Sequence, residues 1–314
     1  MSLRIHLLRC LALALVLLGC HTAHAQGGPP FLTDDPETPG NKHWEINFGY
    51  VGNRNPAAGA YQVPDFDINY GLGDRIQLKY ELPIAIQEQR LSPIGEETAP
   101  AGHINGGLGE SLLGVKWRFY QHHPGDPWLG PNPPSKSEQT GEEPVVDFSV
   151  STYPQLSLDN PTRAVARGLV PPGPDFFLPI EMNARAGPIR FDTEFGYHFG
   201  NHQLPQSWIR GLLVGHEFTD RTEAYAEIYD QQDANRIDGA PKQRQTTLGL
   251  GGRQALNQRK TFLLMLMGGR SFQTITPNNS QPSWIAYVGL QMLLGPKEPV
   301  TPQVEQKLPN ETKP

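Results

Sequence analysis

The chain has two cysteines in 314 residues, Cys10 and Cys20. Both lie in a stretch that reads as an export leader. The remainder therefore holds no disulfide framework, thiolate metal site or cysteine nucleophile. Long apolar runs are also missing. The longest, Leu11 to Leu18, falls far short of the roughly 20 residues a membrane-crossing helix needs. Excess positive charge is absent too: 26 Lys+Arg stand against 32 Asp+Glu, for a net charge of −6. Nucleic-acid phosphates demand basic patches, so that partner class is excluded. No HExxH metal motif and no nucleophile elbow occur, and no cofactor is implied. Apolar residues make up 37% of the chain, which is low for a soluble enzyme of this length.

What is present begins with residues 1–25. Arg4 and Arg9 supply a positive start, the apolar run follows, and Ala23-His24-Ala25 forms a small-x-small cleavage site. The expectation is Sec export, a mature chain starting at Gln26, and a net charge deepened to −8 by loss of the two arginines. A second reading stays open. Leu17-Leu18-Gly19-Cys20 resembles a lipobox, in which Cys20 would be lipidated and become the mature N-terminus.

Beyond the leader, the dominant signal is alternation. Ile76, Leu78, Tyr80 and Leu82 share one parity, while Arg75, Gln77, Lys79 and Glu81 share the other. Successive strand side chains point to opposite faces, so this run is a ribbon with one oily and one wet side. Trp44, Ile46, Phe48 and Tyr50 oppose Glu45 and Asn47. Leu113, Val115, Trp117 and Phe119 oppose Lys116 and Arg118. Ile189, Phe191, Phe195 and Tyr197 oppose Arg190, Asp192, Glu194 and His198. About twelve such segments occur, near 43–52, 62–71, 74–83, 108–120, 144–154, 175–186, 188–200, 207–217, 221–230, 244–254, 259–270 and 283–294. Each has about the length of a tilted transmembrane strand. The facing of 207–217 and 244–254 is not fixed by the sequence.

An exported chain of one-sided ribbons predicts an all-β fold: a transmembrane antiparallel barrel of about twelve strands in a Gram-negative outer membrane, oily side to lipid and wet side to a lumen. Links alternate in length as such barrels require. Short ones fall at Leu72-Gly73, Gly187, Thr219-Asp220 and 255–258. Longer ones fall at 53–61, 84–107, 155–174, 201–206, 231–243 and 271–282. The Pro/Gly-rich link 121–143 breaks the alternation as a long periplasmic excursion. The predicted organisation is a leader (1–25), an N-terminal periplasmic segment (26–42), the barrel (43–294) and a disordered polar tail (295–314).

The start of the mature chain carries a family likeness. Pro30-Phe31-Leu32-Thr33-Asp34-Asp35-Pro36, then His43-Trp44-Glu45, resembles the opening of the MetA-pathway of phenol degradation family of bacterial outer-membrane barrels. YGLGDRIQLKYELP and GLGESLLGVKWRF look like that family's second hairpin and the strand after it. The resemblance implies a transporter or channel for small molecules, aromatic or hydrophobic ones among them. Two departures stand out: the long 121–143 link, and a tail after the last strand in place of a terminal aromatic residue.

Candidate residues follow from the parity. Lys79, Glu81, Lys116, Arg118, Arg190, Asp192, Glu194, Glu223 and Glu227 face inward. They either line a charged passage or pair across strands to fill the lumen. Residues 262–267 are apolar on both faces. Leu263, Met265 and Met267, with Tyr287 on the next strand, form either an oily lane for solutes or a seat for a folded-in loop or the N-terminal segment. Asp34, Asp35 and Glu37 read as acids capping a proline turn in preference to a metal site. Trp44, Trp117, Trp208 and Trp284 suit interfacial belts.

The partners expected are outer-membrane lipid and a small-molecule solute of unassigned identity, with oligomeric state unassigned. The leading function is a non-enzymatic conduit. One alternative is a membrane-embedded hydrolase drawing on His198, His202, His216 and Ser207. The other is an exported, lipid-tethered β-rich binding protein whose oily faces meet in a core.

Overall fold

The structure, a computed structural model, describes residues 30–56, 58–89, 102–122, 147–236, 242–276 and 279–296. The leader with both cysteines, most of the 121–143 link and the tail from 297 lie outside the described residues.

Fourteen strand segments follow one another: β1 (Trp44–Arg54), β2 (Ala58–Leu72), β3 (Ile76–Gln89), β4 (His103–Leu108), β5 (Ser111–His122), β6 (Asp147–Thr152), β7 (Gln155–Leu158), β8 (Asp175–Ala186), β9 (Ile189–His198), β10 (Ser207–Thr219), β11 (Thr222–Asp233), β12 (Arg244–Ala255), β13 (Phe262–Thr276) and β14 (Asn279–Leu294). All pairings are antiparallel. β14 returns to β1, with Trp44 opposite Leu294 and Arg54 opposite Trp284, so the sheet closes on itself and has no free edge.

The fourteen segments make twelve staves, the number the parity predicts. β4 and β5 lie end to end along β3. β6 and β7 lie end to end between β5 and β8. The breaks fall at Gly109-Glu110 and Tyr153-Pro154. Pro154 has no N–H for the ladder; its carbonyl still accepts from Val115 N–H at 3.1 Å.

Several strands outrun their predicted spans. The links expected at 53–61 and 271–282 are largely taken up by β1 and β2 and by β13 and β14, and β3 and β4 extend into the two ends of the one expected at 84–107. Sheet pairing needs only backbone groups, so polar ends such as Gln87–Gln89 stay in strand where alternation has faded. Tight connections remain at one end of the barrel, two of them of only two residues: Asp220-Arg221, and Gly187-Pro188, where Gly187 takes a left-handed φ of 54°. Residues 159–174, 199–206 and 234–243 connect strands at the opposite end.

The faces follow parity. Leu78 is 42% exposed on the outer wall, whereas its neighbour Gln77 is 6% exposed within. Phe48, Val115, Phe191 and Leu266 also point outward, and Glu45, Asn47, Lys116 and Arg190 are buried. In β10 the structure settles what the sequence left open: Leu212 and Val214 face out, and Ile209 and Leu213 face in. Oily faces outside and polar ones within are the reverse of a β-sandwich, which rules out the exported binding-module fold. Exposed rings collect toward both rims. Trp44 packs on Tyr70 at 4.6 Å near the short-turn end, and Trp208 packs on Tyr197 at 4.5 Å near the other.

The segment before β1 departs from expectation. Residues 26–42 were expected to be periplasmic, but of the described ones 30–38 fold into the lumen, while Asn41 and Lys42 stay exposed and bond the end of β2 and the turn after it. Phe31, Thr33 and Asp35 are buried against wall residues. A barrel of this size leaves an interior that side chains alone do not fill, and the segment occupies part of it.

Candidate functional site

Three wall cations hold three acids of the N-terminal segment. Lys116 on β5 reaches Asp34 Oδ1 at 2.9 Å and also donates to the Asp35 carbonyl. Arg190 on β9 pairs with the Asp35 carboxylate. Arg118 on β5 reaches Glu37 at 2.8 Å and donates to the Asp74 carbonyl at 2.7 Å, which also accepts from Thr38 Oγ1. Wall acids in turn accept the segment's backbone: Thr33 N–H donates to Glu227 at 2.6 Å and Asp34 N–H to Glu194 at 3.2 Å. Within the segment, Asp34 caps Asp35 N–H and Asp35 caps Glu37 N–H, so the proline turn read from the sequence is present and tied into the wall as well.

Asp35 is the electrostatic centre of this dock. Burial pushes its carboxyl upward, but the neighbouring charges of Arg190, Lys116 and Arg253 outweigh burial and hold its pKa below the ordinary 3.8. Among the described residues no group of His, Cys, Asp and Glu side chains is arranged to hold a metal ion.

The remaining inward candidates pair within the wall. Lys79 lies 2.9 Å from Glu81 and 3.4 Å from Asp67. Asp192 pairs with Arg190 at 2.6 Å and accepts from Asn183. Glu223 accepts the Tyr225 hydroxyl. All nine charged candidates therefore face inward, and Lys116, Arg118, Arg190, Glu194 and Glu227 each have a partner in the N-terminal segment, with Lys116 and Arg190 also paired to Glu181 and Asp192 in the wall.

Of the oily-lane candidates, Met265, Met267 and Tyr287 join Leu213, Tyr225 and Ile285 in one buried cluster whose centrepiece is Phe31. The Phe31 ring tilts against Tyr225 at 5.2 Å. Leu263 is buried on the same strand but lies outside that cluster. The structure thus favours the seat over the open lane, with the N-terminal segment as its occupant.

Sequence reasoning passed over Asp65, Asp67, Glu181 and Tyr225, all buried inward. The signal for the first two was present, since Asp65, Asp67 and Asn69 alternate with Phe66, Ile68 and Tyr70. Gln62 could not have been placed this way. It differs from Asp65 by an odd number, yet both face one cavity because a bulge between them resets the register of β2 on β3.

That cavity, roughly 310 Å³, lies in the lumen beside the segment. Phe31, Leu32, Val51, Met267, Ile285 and Tyr287 form its oily side. Asp65, Asp67, Glu81 and Lys79 contribute charge.

The histidines are dispersed. His216 faces outward against Phe218, and His202 is exposed. His198 bonds Asp175 at 2.5 Å, stacks on Phe177, and lies across the ladder from Ser207. The Ser207 hydroxyl accepts from Gln231 Nε2 at 3.1 Å, and among the described residues no hydrogen bond joins it to His198.

No family model and no curated protein matches the chain. Among solved structures, an outer membrane channel from Pseudomonas putida F1 superposes with a TM-score of 0.56 at 13% identity, over 83% of this chain and 98% of that one. The KdgM porin (TM-score 0.43, 7% identity, 79% and 98% covered) and the CymD monoaromatic hydrocarbon channel (0.41, 7%, 82% and 90%) stand further off. At these identities the likeness is one of fold: this chain and the Pseudomonas putida protein share a closed, all-β antiparallel barrel.

Proposed function

We propose that the chain is an outer-membrane conduit for small molecules, aromatic and hydrophobic ones among them, delivered by Sec export and removal of residues 1–25. The observation that carries this reading is the closed cylinder with an oily exterior and a charged, partly open interior. The MetA-pathway-like opening motif supports the family assignment, and the fold shared with a Pseudomonas putida channel agrees with it. Passage would depend on wetting and lumen charge, with no covalent step. The docked N-terminal segment then sets the aperture, because it occupies the path between the two ends. Lipid contacts the outer wall, where the ring belts hold the barrel at the interfaces.

Planar-bilayer recording of the full-length protein tests this. Stepwise currents are expected, small while the segment is docked and larger when it is displaced. Silence from folded protein, with the segment docked and displaced alike, would overturn the reading.

A further inference from the structure

The cavity beside the N-terminal segment is chemically lopsided. Five carboxylates line it (Asp34, Asp65, Asp67, Glu81 and Glu194) against a single lysine, Lys79. Most of these acids have partners. Asp34 pairs with Lys116, Glu194 accepts Asp34 N–H, and Lys79 lies between Glu81 and Asp67. Asp65 differs. It is 8% exposed, and its Oδ1 has no hydrogen-bond partner among the described residues. The β2 bulge turns this side chain into the cavity together with Gln62.

A buried carboxylate with an unbonded oxygen costs free energy that a bound cation would recover. Facing it are Phe31, Met267, Ile285 and Tyr287, an oily wall with two aromatic rings. An inorganic cation has no apolar body to bury against such a wall. An organic cation gains on both sides, through charge pairing and through burial of its apolar body. The volume, roughly 310 Å³, is at the small end for ligand sites and suits a single ring with a short amine arm.

We infer that this cavity is a binding site for small organic ammonium compounds, with the ammonium group on Asp65 and the apolar body on Phe31, Met267, Ile285 and Tyr287. This deepens the conduit reading by naming a substrate class, although occupancy of the site does not itself require current to flow.

Isothermal calorimetry on the full-length protein folded in detergent tests it, with benzylammonium, benzyl alcohol and benzoate as probes and protein-free micelles as the reference. Benzylammonium is expected to bind saturably, and the neutral and anionic isosteres at least about tenfold more weakly, the scale of one charge-assisted bond. Asp65→Asn keeps the side-chain shape and should lose a similar factor for the amine alone. Phe31→Ala should weaken the amine while leaving its preference over benzoate intact. Absence of saturable amine binding by folded wild-type protein overturns the inference. So does equal binding of benzyl alcohol, or unchanged amine affinity in folded Asp65→Asn. Amine binding without any bilayer current would uphold this site and overturn the conduit.

Discussion

Arg190 in the barrel wall and Asp35 in the N-terminal segment, 155 residues apart in sequence, are buried ion-pair partners. Neither has appreciable access to water, so each offsets part of the other's desolvation, together with Asp192 beside Arg190 and with Lys116 and Arg253 around Asp35. Removing one partner of a buried pair typically costs about 3–5 kcal/mol, and the charges that remain, Lys116 and Arg253 near Asp35 and Asp192 on Arg190, place this pair toward the lower end. Arg190→Met should therefore loosen the segment while the hydrogen-bonded wall stays closed. Protease access to residues 30–42 should rise, and Asp35→Asn added to Arg190→Met should restore part of the loss. A double-mutant cycle by limited proteolysis checks this, and strict additivity would contradict it.

Acid should release the segment late. The folded-state pKa of Asp35 lies below its ordinary 3.8, so its contribution is fully present above that value and fades as pH falls through the lower folded value. Docking is expected to persist through mildly acidic conditions and to weaken below about pH 3.8. Proteolysis with an acid-active protease, or conductance against pH, reports this. Asp35→Asn should lack the acid-dependent component attributable to this residue.

Gly211 gives a route to displacement that leaves the charges untouched. A Cβ placed there would lie 2.4 Å from Thr33 Oγ1, closer than any real contact, so the segment is seated against bare backbone. Gly211→Val should expel residues near Thr33 while β-branched character keeps β10 in strand. Larger current steps and faster cleavage near Thr33, with unchanged barrel mobility on unheated gels, are the expected outcome.

The two faces of β3 respond to substitution for different reasons. Leu78→Arg places charge against lipid and should cost roughly 2–4 kcal/mol if Leu78 lies near the midplane. By parity alone, Lys79→Ala is a cheap lumen change. The structure revises that, because Lys79 holds Asp67 and Glu81 together and its loss leaves the buried Asp67 and the half-buried Glu81 without the cation between them. Urea unfolding in lipid vesicles should find both variants destabilised. Lys79→Ala, but not Leu78→Arg, should be relieved by adding Asp67→Asn.

The barrel, its count of about twelve staves and the sign of most faces were legible along the chain; the facing of β10 and β12 was not. Hydrocarbon outside and water within impose a period of two on every strand, and that period is written locally. Leu78, Phe191 and Lys116 could be placed from their immediate neighbours. What only the folded chain decided lies where neighbours in space are far apart in sequence, or where the period fails. Phe31 finds Met267, Asp35 finds Arg190, and a bulge brings Gln62 and Asp65 to one cavity. Alternation says which side of a strand is wet. It carries no information about which distant segment will share that wet space, because such pairing depends on closure of the sheet and on the volume closure leaves unfilled.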